Sequence, residues 1–232
     1  MIRTFVVALA LMAAMSATAT AAEMKTSVVQ VGGTNAILIL PAKPHGAIIL
    51  LSGGDGELHM DAAGNTRSYN SLVRTRYAFA QRGLAVLVPE PNVNLASAVD
   101  QMRAYGRVTV AGTSRGTQRA ARGIAEGAKP DRLVLTSGML SDESGDPGNA
   151  VNIIGSPSAL PPTLVVHHRH DSCHVTLPAG VDPFIKWAGG RAKVIWLDGG
   201  ENSGDACKPH AHHGFNGIDG AMVSAVAGFT AR

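Results

Sequence analysis

The chain has 232 residues, of which 45% are hydrophobic and 16% are charged, so it suits one domain with a sizeable core and is neither a disordered tail nor a coiled coil. Its formal net charge is +3, and its lysines and arginines form no run along the sequence. The basic face by which proteins follow nucleic-acid phosphates is therefore missing, and we expect no nucleic-acid partner.

Residues 1–22 have the pattern of a secretory signal peptide. Arg3 precedes the apolar run TFVVALALMAAMSATATA, and Ala19-Thr20-Ala21 fits the small-x-small pattern at which such peptides are cleaved. A membrane anchor is the alternative, but the run is short for a span and no stop-transfer pattern follows it. We expect a periplasmic or secreted protein without stable membrane insertion, whose mature part is a single domain at 23–232.

Strand-like and helix-like segments alternate along the rest of the chain. Two strands, TSVVQV and NAILILPA, flank the turn Gly32-Gly33, and helices are predicted at 67–83, 94–105, 115–128 and 217–230. Further strands are predicted at 46–52, 84–90, 107–113, 131–139, 162–168 and 192–199. Because several of these strands are unbroken runs of Val, Ile and Leu, the pattern indicates a mostly parallel α/β sheet with helices on both faces. Functional residues of such sheets gather at the carboxyl ends of the strands.

The strand at 107–113 runs directly into Gly112-Thr113-Ser114-Arg115-Gly116. This stretch matches the G-x-S-x-G pattern in which a sharp strand–turn–helix connection exposes a nucleophilic serine. The two glycines fit such a turn because a Cβ at either position would obstruct the close approach of backbone and helix. A plain turn between a strand and a helix is the alternative interpretation.

Partners for Ser114 come from two histidine clusters that contain seven of the nine histidines. The first cluster surrounds Asp171 at the end of the strand PTLVV, and the second lies just before the last predicted helix. The first consists of His167, His168, His170 and His174, and the second of His210, His212 and His213. A serine hydroxyl is a weak nucleophile until a base takes its proton, and either cluster offers such a base.

The order Ser114, Asp171, His213 is that of the α/β-hydrolase triad, and the chain resembles this superfamily from GAIILLS to its last helix. The resemblance is carried by GTSRG, by HHRHD in place of the family's His-Gly-x-x-Asp loop, and by HHGF at the histidine loop. It departs at His168, where the family often has glycine. It implies the α/β-hydrolase fold, with Ser114 as nucleophile, Asp171 as acid and His213 as base. His212 is the next candidate for the base, followed by His210.

The resemblance also implies an oxyanion hole made of backbone N–H groups. One donor would be Arg115, which follows the nucleophile, and the other would come from the loop SGGDGEL, where Gly54 is the best candidate. A simple β-turn is the alternative for this loop. Its carboxylates, Asp55 and Glu57, would favour substrates with cationic or hydroxylated groups. Such a site calls for no cofactor and no metal.

Cys173 and Cys207 are an even pair in a chain with an export signal, so we expect a disulfide between them rather than two free buried thiols. Cys173 lies two residues after Asp171, and Cys207 lies six residues before His213. A bridge would therefore join the acid loop to the base loop and help to position both side chains.

The region between the strands at 131–139 and 162–168 is about twenty residues of mainly Gly, Ser, Asp and Pro, too short for the helical lid of larger lipases. The sequence thus predicts an open site for a small or extended polar ester rather than an insoluble triglyceride. Thioesterase and peptidase activities stay open as alternatives. Two other classes are a metal-binding protein that uses the histidine clusters and a non-catalytic binding protein of the same fold.

Overall fold

The computed structural model describes residues 24–231, so the predicted signal peptide lies outside the described residues. The strands are β1 Lys25–Val31, β2 Thr34–Leu40, β3 Ala47–Leu51, β4 Ala85–Pro89, β5 Val108–Ser114, β6 Arg132–Gly138, β7 Thr163–His168 and β8 Ala192–Leu197. The helices are α1 Ser71–Arg74, α2 Arg76–Ala80, α3 Leu95–Met102, α4 Arg115–Ala125, α5 Ala150–Ile154, α6 Val181–Trp187 and α7 Asp219–Thr230. All eight predicted strands are present, at bounds close to those predicted.

The eight strands form one sheet in the order β1-β2-β4-β3-β5-β6-β7-β8. β1 and β2 pair antiparallel, as do β2 and β4, whereas all other neighbours are parallel. The prediction of a mostly parallel sheet is therefore confirmed. β3 and β5 are parallel neighbours, so their carboxyl ends lie side by side, with Leu51 opposite Gly112. The strand order reverses at this point, because β4 lies on one side of β3 and β5 on the other. Such a switch point is where ligands bind in open α/β sheets.

Helices cover the sheet on both faces, as predicted, and the alternation along β3 shows why. Ala47, Ile49 and Leu51 belong to a buried cluster with α3, α4, α5 and α6, whereas Ile48 and Leu50 belong to a second cluster with α1, α2 and α7. Every residue of β3 is buried. Each fully buried aliphatic side chain contributes about 1.5–3 kcal/mol through removal from water, so the two clusters fix the sheet on both sides.

The helix predicted at 67–83 is wrong in extent, because the chain forms two short helices there, α1 and α2. The first begins only after Asn70, whose side-chain oxygen accepts a hydrogen bond from the Leu72 N–H at 3.2 Å. The two helices are separated at Thr75, whose hydroxyl donates to the Ser71 carbonyl at 2.6 Å. Side-chain hydrogen bonds of this kind compete with the regular helical pattern.

The segment between β6 and β7 folds into short helical pieces rather than an inserted domain. Besides α5, it contains 3-10 turns at Asp142–Ser144 and Pro157–Ala159. Its α5 packs on the side of the sheet that α4 covers, within the first buried cluster. The expectation of a chain without a lid at this position is therefore confirmed. No helix within residues 24–231 combines the length and apolar character needed to cross a bilayer.

Candidate active site

The predicted nucleophile lies where β5 turns into α4. Ser114 ends the strand, Arg115 begins the helix, and Ser114 has the strained dihedrals φ 52° and ψ −124°. Both flanking glycines are sterically required. A Cβ on Gly112 would lie 2.4 Å from the Gly116 carbonyl oxygen, and one on Gly116 would lie 2.2 Å from that of Leu51. The sequence thus produces a sharp turn with a half-buried serine at the centre of the sheet.

Asp171 and His213 form a buried pair beside this serine. His213 Nδ1 lies 3.0 Å from Asp171 Oδ2, with the two residues 6% and 3% exposed. The carboxylate has two further donors, the Cys173 N–H to Oδ1 at 2.9 Å and the Thr176 hydroxyl to Oδ2 at 3.0 Å. The same hydroxyl oxygen lies 3.0 Å from His213 Nδ1. This arrangement directs the Nδ1–H toward the acid and leaves Nε2 to face away from it.

Ser114 and His213 line the same cavity, which has a volume of about 200 Å³. Within the described chain, neither Ser114 Oγ nor His213 Nε2 has a hydrogen-bond partner. The backbone of the loop that carries His213 is held by hydrogen bonds from two other segments of the chain. Ser137 Oγ donates to the His213 carbonyl at 2.7 Å, and Arg74 Nη2 donates to the Gly214 carbonyl at 2.6 Å. The imidazole is therefore held on a well-fixed backbone at the edge of the cavity.

The two other candidate bases point elsewhere. His212 stacks on His168, with ring centroids 4.2 Å apart, and its Nδ1 lies 3.3 Å from the His170 carbonyl oxygen. His210 stacks on Tyr69 at 4.8 Å. Of His210, His212 and His213, the last is the one whose side chain contacts Asp171.

The loop after β3 supplies the opposite wall of the cavity. Gly53 lies directly against Ser114, because a Cβ on it would be 3.0 Å from Ser114 Cβ and 3.1 Å from the Thr113 carbonyl oxygen. Gly54, predicted as an oxyanion-hole donor, also lines the cavity but is exposed, with open space around its Cβ position. Arg115, the other predicted donor, starts α4 next to Ser114. The structure thus adds Gly53 as a second candidate donor in this loop.

Arg119, which the sequence analysis did not single out, ties this loop to α4. Its guanidinium donates to the carbonyl oxygens of Ser52 at 2.6 Å and Gly54 at 2.9 Å. In a trans peptide the N–H points opposite to the C=O, so the N–H groups of Gly53 and Asp55 face away from Arg119. The guanidinium therefore sets the direction in which the donors of the loop point.

Comparison with solved structures supports the assignment of the architecture. The chain is similar to the esterase domain of a Rhodothermus marinus protein, with 16% identity and a TM-score of 0.62 over 89% of this chain and 97% of that one. It is also similar to an α/β serine hydrolase without lid from Xanthomonas campestris, with 14% identity and a TM-score of 0.61 over 90% and 96%. The chain has the α/β-hydrolase fold.

A third structure of this fold, an esterase from Pyrococcus furiosus, matches with 14% identity and a TM-score of 0.61 over 90% of this chain and 89% of that one. No protein-family model matches the sequence, and no curated protein matches it. Since all three identities are low, the likeness establishes the α/β-hydrolase fold, and the activity has to be argued from the residues of the site.

The predicted disulfide is confirmed. Cys173 and Cys207 are bonded with their Cα atoms 4.6 Å apart, so the loop of Asp171 and the loop of His213 are covalently joined. Cys207 lines the cavity, and the Nδ1 atom of His174 lies 3.6 Å from its sulfur. Within residues 24–231, one group of three side chains has the spacing of metal ligands, and it consists of Cys173, His174 and Cys207. The sulfur atoms of the two cysteines are bonded to each other in the disulfide.

Two further side chains contribute to the surroundings of Asp171, and the sequence analysis named only His167 of the two. Thr176 is fully buried between the acid and the histidine, and only its position five residues after Asp171 hints at a role. His167 is also fully buried, and burial lowers its pKa, so that this imidazole stays neutral beside Asp171. Its Nδ1 lies 3.1 Å from the His168 carbonyl oxygen. Adjacent histidines on β7 thus take different roles because alternate residues face opposite sides of a strand.

Proposed function

We propose that the protein is an exported serine hydrolase that cleaves carboxylic esters through an acyl-enzyme intermediate. The observation that carries the proposal is the buried Asp171–His213 pair at the same cavity as Ser114, the serine of the strained turn. A nucleophile, a base and an orienting acid, which here follow β5, β8 and β7 of one sheet, are the parts that acyl transfer requires. The structural neighbours, which are esterases and a serine hydrolase, point in the same direction.

In the proposed reaction, Ser114 Oγ attacks the ester carbonyl carbon while His213 Nε2 takes the hydroxyl proton. The carbonyl π electrons move to the oxygen, which becomes the oxyanion of a tetrahedral intermediate. When the intermediate collapses, the bond to the alcohol oxygen breaks and the imidazolium gives its proton to that oxygen. A water molecule then repeats the sequence on the acyl-enzyme, which releases the acid and restores the serine. Asp171 accepts the Nδ1–H throughout and stabilises the imidazolium.

The oxyanion would be bound by backbone N–H groups on two sides. The Arg115 N–H lies at the start of α4, where the unpaired amides of the first turn favour negative charge. Gly53 provides a candidate N–H group on the other side, in the peptide whose Ser52 carbonyl Arg119 holds, and Gly54 provides the next N–H group of the same loop. Donors fixed in this way stabilise the developing charge without reorganising during the reaction.

The cavity favours a short acyl group on a polar alcohol. Its volume of about 200 Å³ is below the roughly 300–1,000 Å³ of pockets for drug-sized ligands. Its lining is mainly glycine and polar side chains, without Leu, Ile, Val, Phe or Met. The lining residues are Ser52, Gly53, Gly54, Asp55, Glu57, Ser68, Tyr69, Asn70, Ser71, Thr113, Ser114, Cys207, Lys208, Pro209, His213 and Gly214. The polar side chains offer hydrogen bonds to hydroxylated groups, and the small volume leaves little room for a long acyl chain.

We further propose that residues 1–22 are removed on export and that 23–232 forms one mature domain. The signal-peptide pattern of the first 22 residues supports export to the periplasm or the medium. The disulfide agrees with this location, because such bonds persist in oxidising compartments and are rare in the cytosol. N-terminal sequencing of the protein from the exported fraction, with Ala22 or Glu23 expected as its first residue, tests this part.

The decisive experiment compares wild type with Ser114→Ala on activated esters of increasing acyl length. We expect hydrolysis of the shortest acyl groups to be fastest and Ser114→Ala to lower kcat by roughly 10⁶-fold, as for other serine hydrolases. A fluorophosphonate probe should label wild type and not the variant, with or without a chelator. Ser97→Ala, at an exposed serine on α3, is the matched control and should behave as wild type. An alanine variant that keeps more than a few per cent of the wild-type rate would refute the role of Ser114.

A further inference from the structure

The side-chain amide of Asn70 is oriented by a hydrogen bond to its oxygen, while its NH₂ group has no acceptor in the described chain. Its Oδ1 accepts the Leu72 N–H at 3.2 Å and so caps α1. Exchanging the two ends of the amide would place an NH₂ group against an N–H donor, so this hydrogen bond fixes which end is which. The Nδ2 group therefore points away from the helix. Asn70 lines the cavity, and its Nδ2 has no acceptor among residues 24–231.

The free amide lies close to the nucleophile. A Cβ placed on Gly53 would be 3.2 Å from Asn70 Nδ2 and 3.0 Å from Ser114 Cβ. The amide N–H group of Asn70 and the serine thus border the same small volume beside Gly53. An ester carbonyl attacked by Ser114 Oγ would have its oxygen in this region.

We propose that Asn70 is a catalytic residue whose Nδ2–H donates to the oxyanion, in addition to the backbone N–H groups. The inference rests on the proposed function. A neutral donor held by its own Oδ1 hydrogen bond suits this task because it is already oriented before charge develops, and it neither gains nor loses a proton. The gain is specific to the transition state, because charge is larger on the oxygen of the tetrahedral intermediate than on the ester carbonyl.

The competing explanation is that Asn70 only caps α1, and two variants separate the roles. Serine and aspartate both accept the N–H of a helix start as well as asparagine does. Asn70→Ser keeps the cap but its shorter side chain does not reach the oxyanion, and Asn70→Asp keeps the cap and the shape but replaces the donor by a carboxylate. A purely structural role predicts wild-type kinetics for both variants. The matched control is Asn94→Ser, since Asn94 caps α3 through Oδ1 to the Ser97 N–H at 2.9 Å and is exposed.

The experiment measures kcat, KM, melting temperature and the affinity for a boronic acid, which mimics the tetrahedral intermediate when bound to serine. For Asn70→Ser we expect kcat to fall roughly 10²-fold, the typical loss for one oxyanion-hole donor. Boronate affinity should fall in parallel, while KM and melting temperature stay close to those of wild type. Asn70→Asp should lose at least as much activity, and Asn94→Ser should match wild type in kcat.

A kcat within twofold of wild type for either Asn70 variant would overturn the inference. So would a decrease in kcat with unchanged boronate affinity. These results are distinguishable from failure of the proposed function, because in that case wild type would show no hydrolysis or labelling that depends on Ser114. Full Ser114-dependent activity together with an indifferent Asn70 would reject only the role of Asn70.

Discussion

Reduction of the Cys173–Cys207 bond should lower activity before it unfolds the protein. The bond joins two loops at one end of the sheet and crosses none of the strands that hold the core. Cys173 also donates its N–H to Asp171 Oδ1 at 2.9 Å, and Cys207 lies in the wall of the cavity that Ser114 and His213 line. Loss of the covalent link therefore acts on the acid and on the edge of the site at the same time.

The magnitude follows from the 34-residue separation of the two cysteines. In the chain-entropy model, a loop of this length corresponds to about 4 kcal/mol of stability at 25 °C. This is a large part of the roughly 5–15 kcal/mol of a typical domain, but the sheet and its two buried clusters remain. The cost in catalysis has a different origin, since a displacement of about 1 Å in a catalytic group can cost 10²-fold in rate. We therefore expect kcat to fall by roughly 10–10²-fold while the far-ultraviolet circular dichroism is unchanged.

The assay follows ester hydrolysis and circular dichroism in parallel during titration with a phosphine reductant, with thiol quantification to verify cleavage. A double variant, Cys173→Ala with Cys207→Ala, is the matched control. It should have the low activity of the reduced protein and should not respond to reductant. Its melting temperature should lie below that of wild type.

Activity that is unchanged after verified reduction would refute the positioning role of the disulfide, although the bond itself would stand. Simultaneous loss of activity and circular dichroism would also contradict the reasoning, because it would mean that the bond holds the fold rather than the two loops. Free thiols in protein purified from the exported fraction without reductant would contradict the pairing.

The other predictions concern the histidines. His213→Gln should reduce kcat by several orders of magnitude, because His213 contacts Asp171. His212→Gln should leave kcat near that of wild type, because the His212 ring stacks on His168. Steady-state kinetics that reverse this ranking would assign the base to His212. Burial lowers the pKa of His167, so below its usual value of about 6.5 the unfolded chain binds a proton that the folded chain does not. The free energy of unfolding should then decrease with falling pH, by up to about 1.4 kcal/mol per pH unit. Denaturant titrations at pH 7.5 and 5.5 give the unfolding free energy at each pH, and His167→Asn should reduce the difference between the two values. The same difference in wild type and variant would contradict the explanation.

The parts of the fold that could be predicted are those encoded by continuous patterns. The apolar run of β3 and the glycine–serine turn after β5 are local features, and each has a single physical explanation in terms of burial or close approach. The pairing of Cys173 with Cys207 followed from their number and the export signal. These predictions did not depend on knowing which strands are neighbours.

The remaining features depend on contacts between distant segments. The separation of α1 from α2 results from the hydroxyl of Thr75, which competes for a helical carbonyl in a segment whose apolar spacing fits one continuous helix. Gly53 and Asn70 meet Ser114 only because the loop after β3 and the start of α1 converge at the switch point of the sheet. Thr176 contacts both Asp171 and His213 through the fold of the loop after β7, for which the sequence has no recurring pattern.

The contacts of Arg119 make α4 a common support for parts of the site that are far apart in sequence. The helix begins directly after Ser114. One turn later, the guanidinium of Arg119 donates a hydrogen bond to the loop of Gly54. A rigid shift of this helix would therefore carry the serine and its opposing loop together and preserve their spacing. On its buried side, α4 approaches α3 so closely that a Cβ on Gly123 would lie 2.3 Å from Leu95 Cδ2. The helix that supports both Ser114 and the loop of Gly54 thus also makes a close packing contact with α3, and only glycine fits at position 123.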